Sequence, residues 1–230
     1  MIGVFDSGVG GFNSLPALRK KLPLLDIAYL ADRENAPYGT KSEEEIIALV
    51  GRGIDRLLMR GADKILLACC TASTVWDRLT ARQMESSVPI ISYTERAIIG
   101  DERLVLVIAT ERTVADGAFG RLIKRKNPHI GVIEIPMQSL VLAVERGFRE
   151  GKIRETVLPE IEKIRRLAAE HQPDALVLGC THFSTVRGLI KEAIPDVRII
   201  NPAELGALAM ARELCSSGIN LRESGKLIYM

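Results

Sequence analysis

The sequence has few of the features that mark secreted, membrane-spanning or disulfide-rich proteins. Only four of its 230 residues are cysteine, so we expect free thiols or ligands rather than a disulfide framework. No segment reaches the roughly 18 apolar residues of a membrane span, and no basic region followed by a long hydrophobic stretch opens the chain. The sequence therefore predicts a soluble, cytoplasmic protein without a membrane partner.

The sequence also lacks an excess of charge of either sign. Lysine and arginine number 31 against 29 acidic residues, which gives a formal net charge of +2. No run of five or six like charges is present, so the sequence shows neither a nucleic-acid-binding patch nor an acidic tail. We therefore predict no nucleic-acid partner, and charge alone identifies no other partner.

Short apolar runs of strand length alternate with segments of helical periodicity along almost the whole chain. Fully apolar runs suit buried parallel strands, and their alternation with helices predicts a doubly wound α/β fold. In such sheets a ligand binds beyond the carboxyl ends of the strands. The runs lie at 2–5, 26–31, 64–69, 88–92, 104–109, 130–135, 175–180 and 197–200.

An internal repeat divides these elements into two halves. The segments ILLACCTAS, ending at Ser73, and ALVLGCTHF, ending at Phe183, share an apolar run, a small residue, a cysteine and a threonine. We therefore predict two similar parallel-sheet domains with the active site in the cleft between them. The first would comprise 1–95 plus 203–230, including a returning helix that ends near residue 217, and the second would comprise 96–202.

A glycine-rich turn follows the first predicted strand, with the sequence Asp6-Ser7-Gly8-Val9-Gly10-Gly11. Glycines allow close approach of the backbone to a ligand, and the amides of a following helix attract an anion. A nucleotide is the alternative ligand. However, Asn13 stands where the dinucleotide fingerprint needs glycine, and Asp6 would repel phosphate, so the turn suits an amine or proton transfer to a thiol better.

The repeated cysteines, Cys69 and Cys180, each precede a predicted helix start, a position that stabilises a thiolate. A lone cysteine there would more simply be a small buried apolar residue. The repetition and the hydroxyl neighbours Thr71 and Thr181 favour a functional role instead. His182 adds an imidazole beside the second thiol, which can act as an acid or base near neutral pH.

Other reactive residue types have weaker contexts. Glu145 is an acid within an apolar helical stretch, a position more typical of the edge of a solvated helix face than of a site. His129 and His171 lie in polar connecting segments and are predicted to be solvated. Cys215 lies in the predicted C-terminal helix, where we expect it to pack in the core.

A metal site is the competing interpretation of the same thiols. Cys69, Cys70, Cys180 and His182 could together form a Cys₃His zinc site. The ligands lack the paired spacing of two cysteines separated by two to four residues, and only Cys70 distinguishes this set from a two-thiol active site. We therefore favour a site without metal.

Taken together, the motifs resemble those of the cofactor-independent glutamate racemases of bacterial cell-wall synthesis. The resemblance covers essentially the whole chain, and the motifs occur in the order and at the spacing of that family. The matching segments are FDSGVGG (5–11), ADRENAPYG (31–39), ACCTAS (68–73), ATERTV (109–114) and LGCTHF (178–183).

The resemblance implies a two-base racemisation at the Cα atom of glutamate, without a cofactor, with Cys69 and Cys180 as the paired acid and base. It further implies that Asp6 serves the Cys69 face, that His182 serves the Cys180 face, and that Glu145 is a further acid. Members of the family often pair, so a homodimer is possible. The residues that match substrate-binding positions are Ser7, Tyr38, Gly39, Cys70, Thr71, Thr110, Thr113 and Thr181.

The first thiol motif departs from the family pattern at one position. Cys70 stands where the first thiol motif usually has an asparagine that contacts substrate, and a thiol is a poorer hydrogen-bonding group. This departure leaves two alternatives open beside glutamate racemisation. The chain could racemise aspartate or another acidic amino acid, or it could be a weakened relative that binds a metabolite.

Overall fold

A computed structural model describes residues 1–216 and 224–230 of the chain, and within them the backbone forms two parallel β-sheets. The first sheet has the strand order β4-β3-β1-β2-β9 and the second has the order β6-β5-β7-β8. All paired strands run parallel. In chain order the strands are β1 (Ile2–Asp6), β2 (Ile27–Ala31), β3 (Lys64–Leu67), β4 (Ser87–Pro89), β5 (Leu104–Ala109), β6 (Gly131–Pro136), β7 (Ala175–Gly179), β8 (Arg198–Ile200) and β9 (Leu227–Tyr229).

Helices connect the strands, and several short 3₁₀ turns lie between them, the longest being Ile90–Ala97. In chain order the helices are α1 (Leu15–Lys21), α2 (Glu43–Met59), α3 (Cys70–Ser73), α4 (Ala81–Ser86), α5 (Glu111–Asp116), α6 (Ala118–Lys126), α7 (Gln138–Glu150), α8 (Ile153–His171), α9 (Arg187–Ala193) and α10 (Pro202–Ser216).

The two sheets share one topology. Read from its far edge, the second sheet has the order β8-β7-β5-β6, which is equivalent to β4-β3-β1-β2 in the first. Strands β3 and β7 therefore occupy equivalent positions, and Cys69 and Cys180 follow them. The prediction of two similar doubly wound parallel sheets is confirmed, whereas the domain boundaries proposed above stay a prediction.

Local sequence explains why the elements form where they do. All five residues of β1 are buried, as expected of a central strand covered on both faces. Helix α2 begins with a capping box in which the Ser42 side chain accepts from the Glu45 amide and the Glu45 carboxylate accepts from the Ser42 amide. It ends before Gly61, which has a φ of +89°.

One apolar core is shared by both sheets. It contains buried side chains from β1, such as Val4, and from β5, such as Val107, together with Met210 of α10. Helix α10 packs against α1 and against the turn Ile90–Ala97. Helix α10 thus packs against elements that precede β5 in the sequence, and its assignment to the first domain stays a prediction.

The structure corrects three details of the sequence predictions. The run at 88–92 is only partly a strand, because β4 ends at Pro89 and a 3₁₀ turn follows. Strand β9 was not predicted from the sequence. Cys215 is exposed on α10 rather than packed in the core, and residue 217, where that helix was expected to end, lies outside the described residues.

A helix that crosses a bilayer must be both long and apolar, and none of the helices in residues 1–216 and 224–230 meets both conditions.

Candidate active site

A small cavity lies beyond the carboxyl ends of the strands, where loops of both sheets meet. Its volume of about 20 Å³ has room for roughly one water molecule, so the site is closed. Asp6 and Thr113 are the predicted site residues that do not line it. Those that do are Ser7, Tyr38, Gly39, Cys69, Cys70, Thr71, Thr110, Glu145, Cys180, Thr181 and His182.

The glycine-rich turn brings the two halves into contact. A Cβ atom at Gly10 would lie 2.4 Å from Thr181 Oγ1 and 2.9 Å from the backbone nitrogen of His182. A side chain at this position would therefore push the turn after β1 away from the thiol loop after β7. The structure thus gives this glycine a packing role at the cavity wall.

Cys69 lies at the start of α3 in a buried, weakly polar setting. Its Sγ atom lies 3.3 Å from Ser7 Oγ and accepts from the Ala72 amide at 3.4 Å. Burial and the nearby Asp6 carboxylate raise the pKa of Cys69 to about 12, although the contacts with Ser7 and Ala72 oppose this shift. At neutral pH, Cys69 is therefore a protonated thiol.

Asp6 lies behind the cavity and is fully buried. Its Oδ2 atom accepts from the Gly8 amide at 2.8 Å, and Thr181 donates to Oδ1 at 3.4 Å. Burial raises the pKa of Asp6, and the charge of His182 and the Gly8 hydrogen bond act in the opposite direction. The carboxyl group is thus held between the turn after β1 and the loop after β7.

Cys180, His182 and Glu145 form a chain of side chains on the opposite side. Cys180 Sγ lies 3.7 Å from His182 Nδ1, and His182 Nε2 lies 3.3 Å from Glu145 Oε1. The second contact has the distance of an ion pair. His182 Nε2 has no hydrogen-bond partner, so this contact lacks the alignment of a hydrogen bond. Glu145 is half-buried and projects from α7.

These contacts favour the protonated imidazole. Burial lowers the pKa of His182, but the contacts with Cys180 and Glu145 outweigh burial and raise it to about 10. The same contact with His182 lowers the pKa of Glu145. An imidazolium between a thiol and a carboxylate can donate a proton to the neighbouring sulfur.

Three threonine hydroxyls bond to one another where the halves meet. Thr71 Oγ1 lies 2.9 Å from Thr110 Oγ1 and 3.1 Å from Thr113 Oγ1, and Thr110 donates to Thr113 at 2.9 Å. Thr71 belongs to the first half, and the other two begin α5 in the second. Thr113 lies behind the others, so its contribution to substrate binding stays a prediction.

Tyr38 and Gly39 close the cavity from the loop after β2. The Tyr38 hydroxyl donates to Asp32 Oδ2 at 2.6 Å, which fixes the ring. A Cβ atom at Gly39 would lie 2.3 Å from Gln138 Oε1 and 2.8 Å from Thr110 Cβ. Only glycine leaves room for the side chains of the second half here.

Cys70, the residue that departs from the family pattern, lies partly in the shared apolar core and partly at the cavity. Its side chain is buried, and burial raises its pKa well above the ordinary value, with Cys180 adding to the shift. It is therefore a neutral thiol in this setting, beside the two thiols that the repeat singles out.

Gln138, at the start of α7, lines the cavity and was missed by the sequence analysis. No motif marks it. The signal that could have found it is its spacing, because Gln138 lies seven residues before Glu145, on the same face of α7.

The zinc alternative has no support from the geometry. Within residues 1–216 and 224–230, no group of three or more histidine, cysteine, aspartate or glutamate side chains could hold a metal ion. The four side chains of the Cys₃His interpretation therefore do not form a coordination site.

Known proteins are similar to this chain over most of its length. Residues 17–210 match the family model of the Asp/Glu/hydantoin racemases. The chain is 35% identical to the glutamate racemase of Neisseria gonorrhoeae over 223 residues, which cover 95% of this chain and 81% of that protein. For the glutamate racemase of Syntrophus aciditrophicus the identity is 36% over 219 residues, with 93% and 79% covered.

A solved structure agrees. The glutamate racemase of Francisella tularensis in complex with D-glutamate superposes with a TM-score of 0.84 at 30% identity, covering 99% of this chain and 85% of that one. Sequence, fold and site thus lead to one assignment: the chain belongs to the Asp/Glu/hydantoin racemase family and is an amino-acid racemase.

Proposed function

We propose that this chain interconverts L- and D-glutamate without a cofactor, with Cys69 and Cys180 as the two proton-transfer groups. The observation that carries the proposal is the position of the two thiols. Each follows the third strand of its own sheet, and both line the same closed cavity. Inversion at Cα needs one group to remove the proton and another to supply one from the opposite face.

The proton inventory balances without a further reactant. In one direction a Cys180 thiolate takes the Cα proton while the Cys69 thiol gives its proton to the opposite face. The product leaves Cys180 as a thiol and Cys69 as a thiolate, which is the starting state for the other enantiomer. Asp6 serves the first thiol in this scheme, and His182 with Glu145 serves the second.

Neutral donors bind the substrate in this proposal. Among the described residues that line the cavity there is no lysine or arginine. Hydroxyl groups and loop amides would therefore hold the carboxylates. The residues proposed for this role are Ser7, Tyr38, Gly39, Cys70, Thr71, Thr110 and Thr181, with Thr113 contributing through its hydrogen bonds to Thr71 and Thr110.

The choice of glutamate rests on the relatives, because the glutamate racemases of Neisseria and Syntrophus match more than nine-tenths of this chain. We infer that the D-isomer is supplied to peptidoglycan synthesis in the cytoplasm. The division into 1–95 plus 203–230 and 96–202 is part of the same proposal, because it assigns one thiol to each domain.

Exchange of the Cα proton tests this function. Reduced protein without added cofactor is incubated in heavy water with L-glutamate, D-glutamate or L-aspartate, and loss of the Cα signal is followed by proton NMR. Exchange with both glutamate enantiomers supports the proposal. Exchange with aspartate alone retains the mechanism but changes the substrate, and no exchange with any of them refutes the proposal.

A Cys70→Asn variant addresses the alternative of a weakened relative. A sharp rise in glutamate turnover would mean that the thiol at this position limits the natural chain. Unchanged turnover would mean that the family asparagine is dispensable in this cavity.

A further inference from the structure

Gln138 carries a polar group that the structure leaves without a partner. Both its amide oxygen and its amide nitrogen are buried and have no hydrogen-bond partner, and the residue is 9% exposed. Buried amides are almost always paired, because an unpaired one loses its bonds to water without replacement. An unpaired amide in a cavity wall is therefore a group that a ligand completes.

The location of Gln138 in the cavity indicates which part of a ligand it meets. Gln138, Val141 and Glu145 lie on one face of α7, and all three line the cavity. Seven residues of helix span about 10 Å. Glu145 contacts His182 beside Cys180, where the reacting carbon must lie, so Gln138 lies farther along the cavity, against Gly39.

The surroundings of Gln138 favour an anionic group. Gln138 is the first residue of a 13-residue helix whose preceding residue, Met137, provides no side-chain cap, so the helix dipole adds positive potential there. No lysine or arginine is present among the described lining residues. The amide N–H is thus a suitable donor for a carboxylate at this end.

We propose that Gln138 donates a hydrogen bond to the side-chain carboxylate of the substrate and thereby selects acidic amino acids. The inference rests on the proposed function, because that function places Cα between the thiols. The α-amino and α-carboxylate groups are attached to Cα and stay near the thiols, whereas the side chain extends toward Gln138. Cys70 stands where the family pattern has an asparagine amide, and Gln138 supplies an amide elsewhere in the same cavity.

Two substitutions at one position test this role. Gln138→Met keeps the approximate volume and removes the donor, so we expect the KM for L-glutamate to rise roughly 10- to 100-fold, with a smaller change in kcat. Gln138→Glu places a carboxylate against the substrate carboxylate. It should raise the KM for glutamate further, while the inhibition constant of L-glutamine stays equal or falls because its amide can donate to Glu.

A matched control comes from the neighbouring exposed position. Ser139→Ala changes the same turn of α7 outside the cavity, since Ser139 bonds Glu160 at the surface, and its kinetics should equal those of the natural chain. Gln138→Met should also melt about 2–4 °C higher, because an unpaired buried amide is replaced by an apolar group. A role confined to folding would instead lower the melting temperature and leave KM unchanged.

Three results would overturn the proposal. They are an unchanged KM in Gln138→Met, an equal loss of affinity for glutamate and glutamine in Gln138→Glu, and a lower melting temperature of Gln138→Met without a kinetic effect. Inactivity of the natural chain on glutamate and aspartate refutes the proposed function separately. Calorimetric titration with L-glutamate then decides the role of Gln138, since equal affinity of the natural chain and Gln138→Met, or no binding to either, overturns it.

Discussion

Cys69 and Cys180 occupy equivalent positions in equivalent sheets, yet their neighbours differ in charge. Cys69 caps α3, contacts the Ser7 hydroxyl and lies near the Asp6 carboxyl group. Cys180 caps no helix through its side chain and contacts the imidazole of His182, which Glu145 supports. The repeated backbone thus presents two thiols, and the residues beyond the repeat make their environments unequal.

In the proposed mechanism this difference lets a symmetric reaction use an asymmetric site. The carboxyl group of Asp6 favours a proton on Cys69, whose pKa rises to about 12 through burial and that carboxyl group. The imidazolium of His182 can stabilise negative charge on the neighbouring sulfur. In the proposed mechanism one thiol therefore holds the proton at the start and the other receives it.

The largest expected effect comes from removing either thiol. Cys69→Ser and Cys180→Ser should each lower the racemisation rate roughly 10³-fold or more, because inversion needs both groups. Serine is a good helix cap, so Cys69→Ser should keep the start of α3. Polarimetry with each glutamate enantiomer measures the rate, and a variant with normal turnover would remove that cysteine from the mechanism.

The matched control for these variants is Cys215→Ser. Cys215 is exposed on α10, away from the cavity, so its replacement should leave the rate within about twofold. A large loss here would mean that serine substitution acts through the fold and not through the site.

Replacing the residue that accompanies one thiol should slow proton transfer by that thiol selectively. His182→Asn should lower kcat about 10²-fold, the usual contribution of a positioned acid or base, and Asp6→Asn should act on Cys69 instead. With Cα-deuterated substrate, His182→Asn should raise the isotope effect on kcat for one enantiomer. Asp6→Asn should raise it for the opposite enantiomer, and an equal rise for both in either variant would contradict the pairing.

The pH dependence of the free energy of unfolding should reveal the raised pKa of His182, the partner of Cys180. The pKa of His182 is raised from 6.5 to about 10 in the folded chain, so the folded state binds more protons than the unfolded state between these values. The resulting stabilisation is complete below about pH 6.5 and is lost as pH rises through about 10. Urea unfolding at pH 6, 8 and 10 should show a steeper decline for the natural chain than for His182→Asn, and parallel declines would contradict the assignment.

The smallest change in KM and stability should come from removing the Thr113 hydroxyl group, which lies behind the cavity. Thr113→Val removes one member of the threonine triangle and should lower the free energy of unfolding by about 1 kcal/mol. Its KM for glutamate should rise less than that of Thr71→Val, because Thr71 lines the cavity and Thr113 does not. Chemical unfolding and steady-state kinetics measure both quantities, and a larger KM effect at Thr113 would show direct substrate contact.

The sequence predicted the parallel sheets well because buried central strands are continuous apolar runs. It was less accurate where tertiary contacts decide the conformation. The run at 88–92 is apolar as far as Ile91, yet it leaves the sheet after Pro89 to pack against α10. Strand β9 has three residues and depends on pairing with β2, so its sequence contains too little periodicity to predict it.

In the candidate site, too, some residues could be predicted from the sequence and others depend on tertiary contacts. The cysteines that follow strands, Cys69 and Cys180, could be placed from the pattern because the carboxyl ends of parallel strands lie together, whereas Thr110 was indicated only by the family resemblance. Gln138 could not, because an amide at a helix start is common and only its missing partner in the folded chain makes it informative. Spacing alone did not place Glu145 in the site, and only the family resemblance indicated it, because its contact with His182 joins residues distant in sequence.

The apolar core that includes Val4, Val107 and Met210 has a consequence for how the molecule melts. The duplicated halves share side chains in one cluster, so neither can lose its packing without exposing part of the other. We expect one cooperative calorimetric transition in place of two. The two similar halves would thus behave as a single thermodynamic body, in which a fragment ending between the sheets leaves its side of the shared cluster uncovered.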